Sequence, residues 1–355
     1  MNGKNNNLAF IQALAPYRLD YYNYLYDNYG YEVWSMLRAF PDQLFSGESL
    51  WEQSHFPQQF LRTNTIFRRQ IPIGVRKIIR QRNPNIVITP EFSILTMTLL
   101  LIRAFSKHKF KIISQCDDSY EMVKSKSFTL FHSFARRLLM PFIDEVILVD
   151  SRAVTWFQER YGKGIWMPII RDEKKFTQNR ALPQAKIKDS LSILFVGRFI
   201  SCKNLECLIT ACSKLSFNYN LILVGDGPEK ANLQQLADKL DIKVSFVGKK
   251  QGDELIDVYK SSEIFVLPST IEAFGAVTNE ALLCGCYVCI SEKAGSACLV
   301  EESVNGVTFN PESPEELAKK ITFLSRMETN TDRHSKMKIS FSACLDNVMT
   351  HLNAL

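Results

Sequence analysis

Two acids with seven residues between them, Glu272 and Glu280, bracket a stretch whose middle is suited to bind an anion. Gly275 permits a tight turn after Phe274, and a helix is predicted to begin at about Ala276. Free N–H groups at the start of that helix, together with the positive end of its dipole, would attract a phosphate. The backbone predicted to bind the anion belongs to Gly275, Ala276 and Val277.

The two acids would repel a phosphate that they touched, so we expect them to bind neutral hydroxyl groups on either side of it. A ribose, a diphosphate and a hexose in a row are the parts of a nucleotide sugar. The arrangement of Glu272 and Glu280 therefore predicts a nucleotide-sugar site.

Two cations, Arg198 and Lys203, follow a predicted buried strand that ends at Gly197. Loops at the carboxyl edge of a parallel sheet commonly supply ligand groups. Arg can make paired hydrogen bonds to a diphosphate, and Lys can act as a point charge. Basic residues after a strand are common, so this pair is weak evidence alone, but beside the acidic stretch it predicts a diphosphate site.

The elements that must position these residues are short apolar runs that alternate with helical periods. Continuous apolar strands separated by helices indicate parallel sheets covered on both faces. We predict an α/β fold with two Rossmann-like, doubly wound domains that face each other across a cleft. The predicted strands are 8–12, 31–36, 85–89, 110–114, 145–150, 191–197, 220–225, 243–248, 263–268 and 287–291.

A polar, Lys-rich passage separates the two sets of strands. The predicted organisation is a first domain over residues 1–171, a linker over 172–190 and a second domain over 191–335. Residues 336–355 are predicted to form a C-terminal helix that could return to the first domain.

The composition of the 355-residue chain, 46% hydrophobic, indicates a globular protein with a core in each domain. Nine cysteines without a repeated CxxC pair predict reduced thiols and a cytoplasmic location. No signal-peptide pattern occurs at the N-terminus. The longest apolar run, 94–102, is about half of what a bilayer requires and predicts a buried helix.

The formal net charge of +6 is concentrated in the first half, because no acid occurs between Glu52 and Glu91. An anionic partner and a solvated basic helix face are equally good readings of this stretch. Nucleic acid is disfavoured, because aromatic residues are not interleaved with the basic ones. The basic residues of the stretch are Arg62, Arg68, Arg69, Arg76, Lys77, Arg80 and Arg82.

Five motifs in the second half resemble a known family. In order they are VGRFISCKN, LILVGDGPEKANLQQLA, VSFVGKK, DVYKSSEIFVLPSTIEAFGAVTNEALLCG and VNGVTFNP. Together they are similar to the C-terminal half of the family 4 retaining glycosyltransferases, which have the GT-B fold. The resemblance covers roughly residues 190–324 and matches Glu272 and Glu280 to the family's paired acids.

The resemblance implies a role for each matched residue. Glu272 would contact the donor sugar, and Glu280 would contact the ribose hydroxyls. Arg198 and Lys203 would contact the diphosphate. The residues predicted to bind the donor are Gly197, Phe274, Gly275, Ala276, Val277, Glu280, Val247 and Lys250. The predicted catalytic residues are Glu272, Arg198, Lys203, Asp117 and Asp118.

The first half matches the family more loosely. Where many members have a glycine pair after the first strand, this chain reads QALAPYRLDYYNYL, which makes Tyr17 and Arg18 the candidates on the acceptor side. Asp117 and Asp118 stand where members often have His, so the group that orients the acceptor hydroxyl stays open. In the second half, Asn204 replaces a common Gly.

The resemblance also implies the reaction and its partners. The donor would be a UDP- or GDP-sugar, no cofactor or metal would be required, and the product would be α-linked. The acceptor would be a saccharide or lipid-linked saccharide, as in the assembly of a bacterial surface polysaccharide. The basic stretch 62–82 and the aromatic-basic stretch 128–142 could dock the first domain on an anionic membrane.

Other readings remain open. A nicotinamide-dependent oxidoreductase is disfavoured, because VGDGPEK lacks the third glycine of the dinucleotide fingerprint. A nucleotide-sugar epimerase, a phosphorylase or an inactive sugar-nucleotide-binding protein would share the fold. Asp117 and Asp118 could bind a divalent cation, whereas the five histidines lack metal-ligand spacing.

Overall fold

A computed structural model describes residues 6–39, 47–66, 69–91, 93–124, 130–177, 190–327 and 334–355. The chain forms two units. The first combines residues 1–117, 123–171 and 344–355, and the second combines 118–122 and 172–343.

The strands are numbered in chain order through both units. They are β1 Leu8–Ile11, β2 Glu32–Ser35, β3 Arg62–Ile66, β4 Arg69–Ile73, β5 Ile86–Pro90, β6 Lys111–Cys116, β7 Glu145–Leu148, β8 Ile165–Trp166, β9 Leu191–Val196, β10 Tyr219–Val224, β11 Val244–Gly248, β12 Ile264–Leu267, β13 Tyr287–Ser291 and β14 Gly306–Phe309.

The α-helices alternate with these strands. They are α1 Leu19–Tyr29, α2 Gly47–Glu52, α3 Val75–Arg82, α4 Ile94–Phe105, α5 Tyr120–Lys124, α6 Leu130–Leu139, α7 Ser151–Tyr161, α8 Lys174–Thr177, α9 Leu205–Cys212, α10 Lys230–Lys239, α11 Gly252–Lys260, α12 Val277–Leu283, α13 Pro314–Leu324 and α14 Phe341–Ala354. Among the described residues, no helix combines the length and apolarity that a membrane crossing requires.

Each unit is built on a six-stranded parallel sheet. The order is β2-β1-β5-β6-β7-β8 in the first unit and β11-β10-β9-β12-β13-β14 in the second. Helices cover both sides, and β1, β7, β12 and β13 are buried along their whole length. The prediction of two Rossmann-like parallel-sheet domains is therefore confirmed. These strands are runs of consecutive apolar residues because helices cover both of their faces.

Two features differ from the sequence-based expectations, and the linker stays a prediction. β3 and β4 pair antiparallel in a two-stranded sheet that was not predicted. Residues 172–177 of the predicted linker group with the second unit, and 178–189 lie outside the described residues. The run 94–102 is α4, but only one face of it is buried, so the prediction of a buried helix is wrong for Leu101.

The C-terminal helix α14 groups with the first unit from residue 344 onward. The hydroxyls of Tyr24 and Tyr29 on α1 donate to the carboxylate of Asp346, over 2.8 and 2.6 Å. These two hydrogen bonds fasten α14 to α1.

A glycine sets the spacing at the carboxyl edge of the second sheet. Gly225 follows β10 with φ of +139°, and a Cβ there would lie 1.8 Å from the carbonyl oxygen of Gly197. Its N–H donates to the carbonyl of Gly248 over 2.8 Å. The ends of β9, β10 and β11 can approach this closely only because residue 225 has no side chain.

Replacing Gly225 with Ala is therefore expected to lower the free energy of unfolding by about 2–4 kcal/mol, through the positive φ and the overlap with Gly197. Gly252→Ala is the matched control, because Gly252 also has positive φ, +53°, but open space around it. We expect a cost of about 1 kcal/mol there. Urea denaturation of both variants checks this, and equal costs would show that the close approach is not needed.

Candidate active site

The loops after β9 and β12 lie side by side, because these strands are neighbours in the second sheet. The N–H of Thr270 donates to the carbonyl of Cys202 over 2.9 Å. The side-chain amide of Asn204 donates to the carbonyl of Pro268 over 3.2 Å and to that of Pro311 over 2.8 Å. The bonds to Cys202 and Pro268 join the loop that carries Lys203 to the loop that carries Glu272, and the bond to Pro311 joins it to the loop after β14.

Asn204 occupies a position where Gly is common in the family that the sequence resembles. Its φ of 53° lies in the left-handed region, which Asn tolerates better than most residues. Asn204 thus adopts a conformation that a glycine would also allow, and its side-chain amide ties the Lys203 loop to the loop after β12.

Lys203 and Glu272 form an ion pair between Nζ and Oε2. Both side chains are half-buried, and the hydroxyl of Ser269 donates to the same carboxylate oxygen over 3.1 Å. A charge pair that is partly shielded from water interacts more strongly than one on the surface. The structure thus brings together one predicted cation and one predicted acid from loops about seventy residues apart.

Arg198 is placed differently. It follows Gly197 at the end of β9, and its side chain is exposed. Within the described ranges it makes no ion pair and no side-chain hydrogen bond. The structure therefore leaves its guanidinium available at the sheet edge without bringing it into contact with Glu272 or Glu280.

Glu280 lies in α12 and accepts a hydrogen bond from the hydroxyl of Tyr259 over 3.2 Å. Tyr259 is fully buried on α11, and burial and the Glu280 carboxylate raise the pKa of its phenol well above its ordinary value. The hydroxyl therefore stays protonated and donates. Tyr259 was not predicted from the sequence; the available signal was a tyrosine in a helix, which usually needs a hydrogen-bond partner when buried.

The turn before α12 is formed as predicted, although the helix is shorter than the predicted 276–284. Phe274 is buried, and Gly275 has φ of +91°, where a Cβ would lie 2.6 Å from a methyl group of Leu267. The amides of Gly275 and Ala276 have no hydrogen-bond acceptor among the described residues. These two amides come directly after the loop that carries Glu272.

The remaining donor-side candidates lie at the same sheet edge. Val247, on β11, is exposed, and Lys250 pairs with Glu254 over 3.0 Å. Because this pair is on the surface, it contributes little to stability. Neither Val247 nor Lys250 is bonded to the Lys203–Glu272 pair.

In the first unit, Arg18 and Asp117 form a two-point ion pair, with Nε 3.3 Å from Oδ2 and a closer contact between Nη2 and Oδ1. Arg18 is buried over the ring of Tyr21, whereas Asp117 is partly exposed. The side-chain amide of Gln115 also donates to Asp117, over 3.2 Å. The pair joins the end of β6 to the turn after β1.

Two further acceptor-side candidates lie beside this pair in the chain. Tyr17 is half-buried in the 3-10 turn Pro16–Arg18, and Asp118 is half-buried directly after Asp117. Their proposed roles stay predictions.

Comparison with known proteins adds to this geometry. Residues 178–339 match the family model described as Glycosyl transferases group 1. The uncharacterized glycosyltransferase MJ1607 of Methanocaldococcus jannaschii is 37% identical over 134 residues, which are 37% of this chain and 34% of that protein. A Campylobacter jejuni α-1,4-N-acetyl-D-galactosaminyltransferase that acts on an undecaprenol-linked saccharide is 24% identical over 224 residues, 62% of this chain and 60% of that one. The match thus spans about a third of the first relative's length.

Solved structures match nearly the whole chain. Anabaena Alr3699/HepE in complex with UDP has a TM-score of 0.75 at 18% identity, covering 98% of this chain and 100% of that one. The apo form of the lipopolysaccharide outer core galactosyltransferase WaaB has a TM-score of 0.76 at 15% identity, covering 98% and 99%. At these identities the likeness establishes the fold.

Proposed function

Because the chain belongs, through residues 178–339, to the glycosyl transferases group 1 with the GT-B fold, we propose that it transfers a sugar from a nucleotide-diphosphate sugar to a saccharide or lipid-linked acceptor. The observation that carries the proposal is the Lys203–Glu272 pair on adjoining loops, with Glu280 on the helix that follows. The donor would bind along this edge of the second sheet.

The proposed division of labour follows from charge. As the bond to the leaving nucleoside diphosphate breaks, negative charge grows on the diphosphate and positive charge grows on the anomeric carbon. Lys203 and Arg198 would stabilise the diphosphate, since preorganised cations act most strongly on charge that develops in the transition state. Before donor binding, Glu272 neutralises Lys203, so the diphosphate would give that ammonium a second anionic partner.

The two acids would serve different ends of the donor. Glu272 would hold hydroxyls of the transferred sugar, and Glu280, aligned by Tyr259, would hold the ribose hydroxyls. They would not work as the acid/base pair of a glycoside hydrolase, in which both carboxyl groups flank the scissile bond. We propose retention of configuration and an α-linked product.

The acceptor would bind to the first unit. The Arg18–Asp117 pair offers a partly exposed carboxylate, which could orient a sugar hydroxyl. Tyr17 precedes Arg18 in the chain, and Asp118, which groups with the second unit, follows Asp117. A lipid-linked saccharide of bacterial surface polysaccharide assembly is the proposed acceptor class. A cytoplasmic location accords with nine cysteines that are all free thiols.

A thermal-shift panel tests the proposed donor class. UDP, GDP and their sugars are each mixed with the full chain, and the nucleotide that stabilises it is then supplied as a sugar donor for turnover. We expect one nucleotide diphosphate to raise the melting temperature and its sugar to be consumed only when acceptor is present. Stabilisation by none of them would contradict the proposal, and conversion of the donor without acceptor would favour an epimerase.

Replacing Tyr259 with Phe should raise the donor KM by about three- to tenfold while kcat changes little, because a hydrogen bond to a charged group is lost at the ribose end. Tyr219→Phe is the matched control, since its hydroxyl also makes one hydrogen bond in the second unit, 2.8 Å to the carbonyl of Cys212. Steady-state kinetics with varied donor measures both. A fall in kcat at unchanged KM would show that Glu280 acts at the reacting bond.

A further inference from the structure

Two rows of apolar side chains in the first unit are exposed to solvent. On α4, Leu101 and Phe105 are one turn apart, and on α6 and the turn after it Phe134, Leu138 and Phe142 are also spaced by four residues. These five side chains are between 56% and 84% exposed. Residues four apart on a helix share a face, so each row presents one continuous apolar stripe, and large exposed apolar areas commonly mark binding surfaces.

The two stripes adjoin. The guanidinium of Arg103, on α4 between Leu101 and Phe105, donates to the carbonyl of Phe142 and to the carboxylate of Asp144. Arg103, Leu100 and Phe142 also line one cavity of about 440 Å³. We call the five exposed side chains together the apolar surface.

The charges around the apolar surface are mostly positive. No Asp or Glu occurs in residues 92–116 or 122–143. Exposed Lys107 and Lys109 follow Phe105, and exposed Arg137 lies between Phe134 and Leu138. The carboxylate that does line the cavity, Asp144, is paired with Arg103 and lies 4.0 Å from Lys111. The surface is therefore apolar at its centre and cationic at its edges.

We propose that the apolar surface docks on an anionic lipid bilayer, with its aromatic side chains at the boundary between headgroups and acyl chains. Lys107, Lys109 and Arg137 would then face the lipid phosphates. Apolar side chains combined with basic ones are what an interfacial membrane site requires. A second copy of this chain fits less well, because it would present the same cations and the two faces would repel each other.

This surface differs from the sequence-based expectation of a membrane site. That expectation joined residues 62–82 with 128–142. In the structure Arg82 is paired with Glu32 over 2.6 Å, and Arg68 and 125–129 lie outside the described residues. Phe105, the most exposed side chain of the apolar surface, comes from α4. Docking of the apolar surface on a bilayer would not depend on the proposed sugar transfer.

Flotation of the full chain with vesicles, without any donor, tests the proposal. Vesicles of phosphatidylcholine alone are compared with vesicles of equal parts phosphatidylcholine and phosphatidylglycerol. We expect binding to the mixed vesicles at low salt that weakens as salt is raised. Absence of binding to the mixed vesicles at low salt would overturn the proposal.

Variants assign the binding to the surface. F105S/F134S/F142S should weaken the partition coefficient by at least about tenfold, since three aromatic side chains no longer enter the interface. K107E/R137E should weaken it by about twentyfold or more. The matched controls are F323S, an exposed phenylalanine of α13, and K230E/K239E, two exposed lysines of α10. Both controls should bind as the unchanged chain does.

Circular dichroism verifies that each variant is folded. Equal binding by the serine variant and by F323S would overturn the assignment to this surface. If light scattering instead shows a dimer that the serine variant dissociates, and no vesicle binding occurs, the apolar surface is a protein interface and the proposal is wrong.

Discussion

Replacing Lys203 with Ala is expected to lower kcat for sugar transfer by about 10²–10³-fold, which corresponds to roughly 3–4 kcal/mol of lost transition-state stabilisation. The reason is that Lys203 is held at the sheet edge by Glu272 and by the loop bonds around it. A preorganised cation acts on the growing charge of the leaving diphosphate without a cost in reorganisation. Steady-state kinetics with saturating donor and acceptor gives the value.

The appropriate control is Lys214→Ala. Lys214 also forms an ion pair within the second unit, with Glu315 over 3.1 Å, but both side chains are on the surface. Its loss should leave kcat unchanged and cost at most about 1 kcal/mol of stability. Normal turnover by Lys203→Ala, with unchanged circular dichroism, would show that the diphosphate binds elsewhere.

The Arg198→Ala variant distinguishes the role of Arg198 from that of Lys203. Arg198 is exposed and makes no ion pair within the described residues, so its loss should not affect stability. We expect turnover to fall by about 10²-fold or more, because the guanidinium acts only when the donor is bound. Melting temperature and kcat measured on the same preparation test this, and a large loss of stability with normal turnover would contradict it.

Replacing Glu91 with Gln is expected to lower the free energy of unfolding of the first unit by about 3–5 kcal/mol. Glu91 follows β5, and its Oε1 lies 2.8 Å from Nη2 of Arg136 on α6, with both side chains buried. The variant would leave the guanidinium charge in the interior without its carboxylate. Urea unfolding of the variant and of the unchanged chain measures the effect.

Two further variants, one a control and one a rescue, accompany that experiment. Glu159→Gln removes an exposed carboxylate from α7 and should change stability by less than about 0.5 kcal/mol. Glu91→Leu combined with Arg136→Met should recover much of the loss, since an apolar pair can replace a buried ion pair at little cost. Equal stability of Glu91→Gln and the unchanged chain would show that water reaches the pair.

Much of the fold could be predicted from local patterns. The runs that form β9, β12 and β13 are apolar at nearly every position, as a strand covered on both faces must be. Glycines after strands indicated the turns at the carboxyl edges. Both kinds of signal lie within a few residues of the element that they specify.

The parts that could not be predicted depend on distant partners. Nothing near Tyr259 in the sequence indicates that its hydroxyl reaches Glu280, because that contact depends on how α11 packs beside α12. The exposure of Leu101 and Phe105 could not be predicted either, since the sequence of an apolar helix does not show whether one face or all of it is buried. The placement of Lys203 beside Glu272 could be predicted, because parallel strands bring their carboxyl ends to one edge.

The most direct test of the account is a crystal structure of the chain with the nucleoside diphosphate that stabilises it best in solution. We predict that the diphosphate lies within hydrogen-bond distance of Lys203 and Arg198 and that the ribose hydroxyls lie against Glu280. A nucleotide bound away from the loops after β9 and β12, or a diphosphate that neither cation touches, would contradict it.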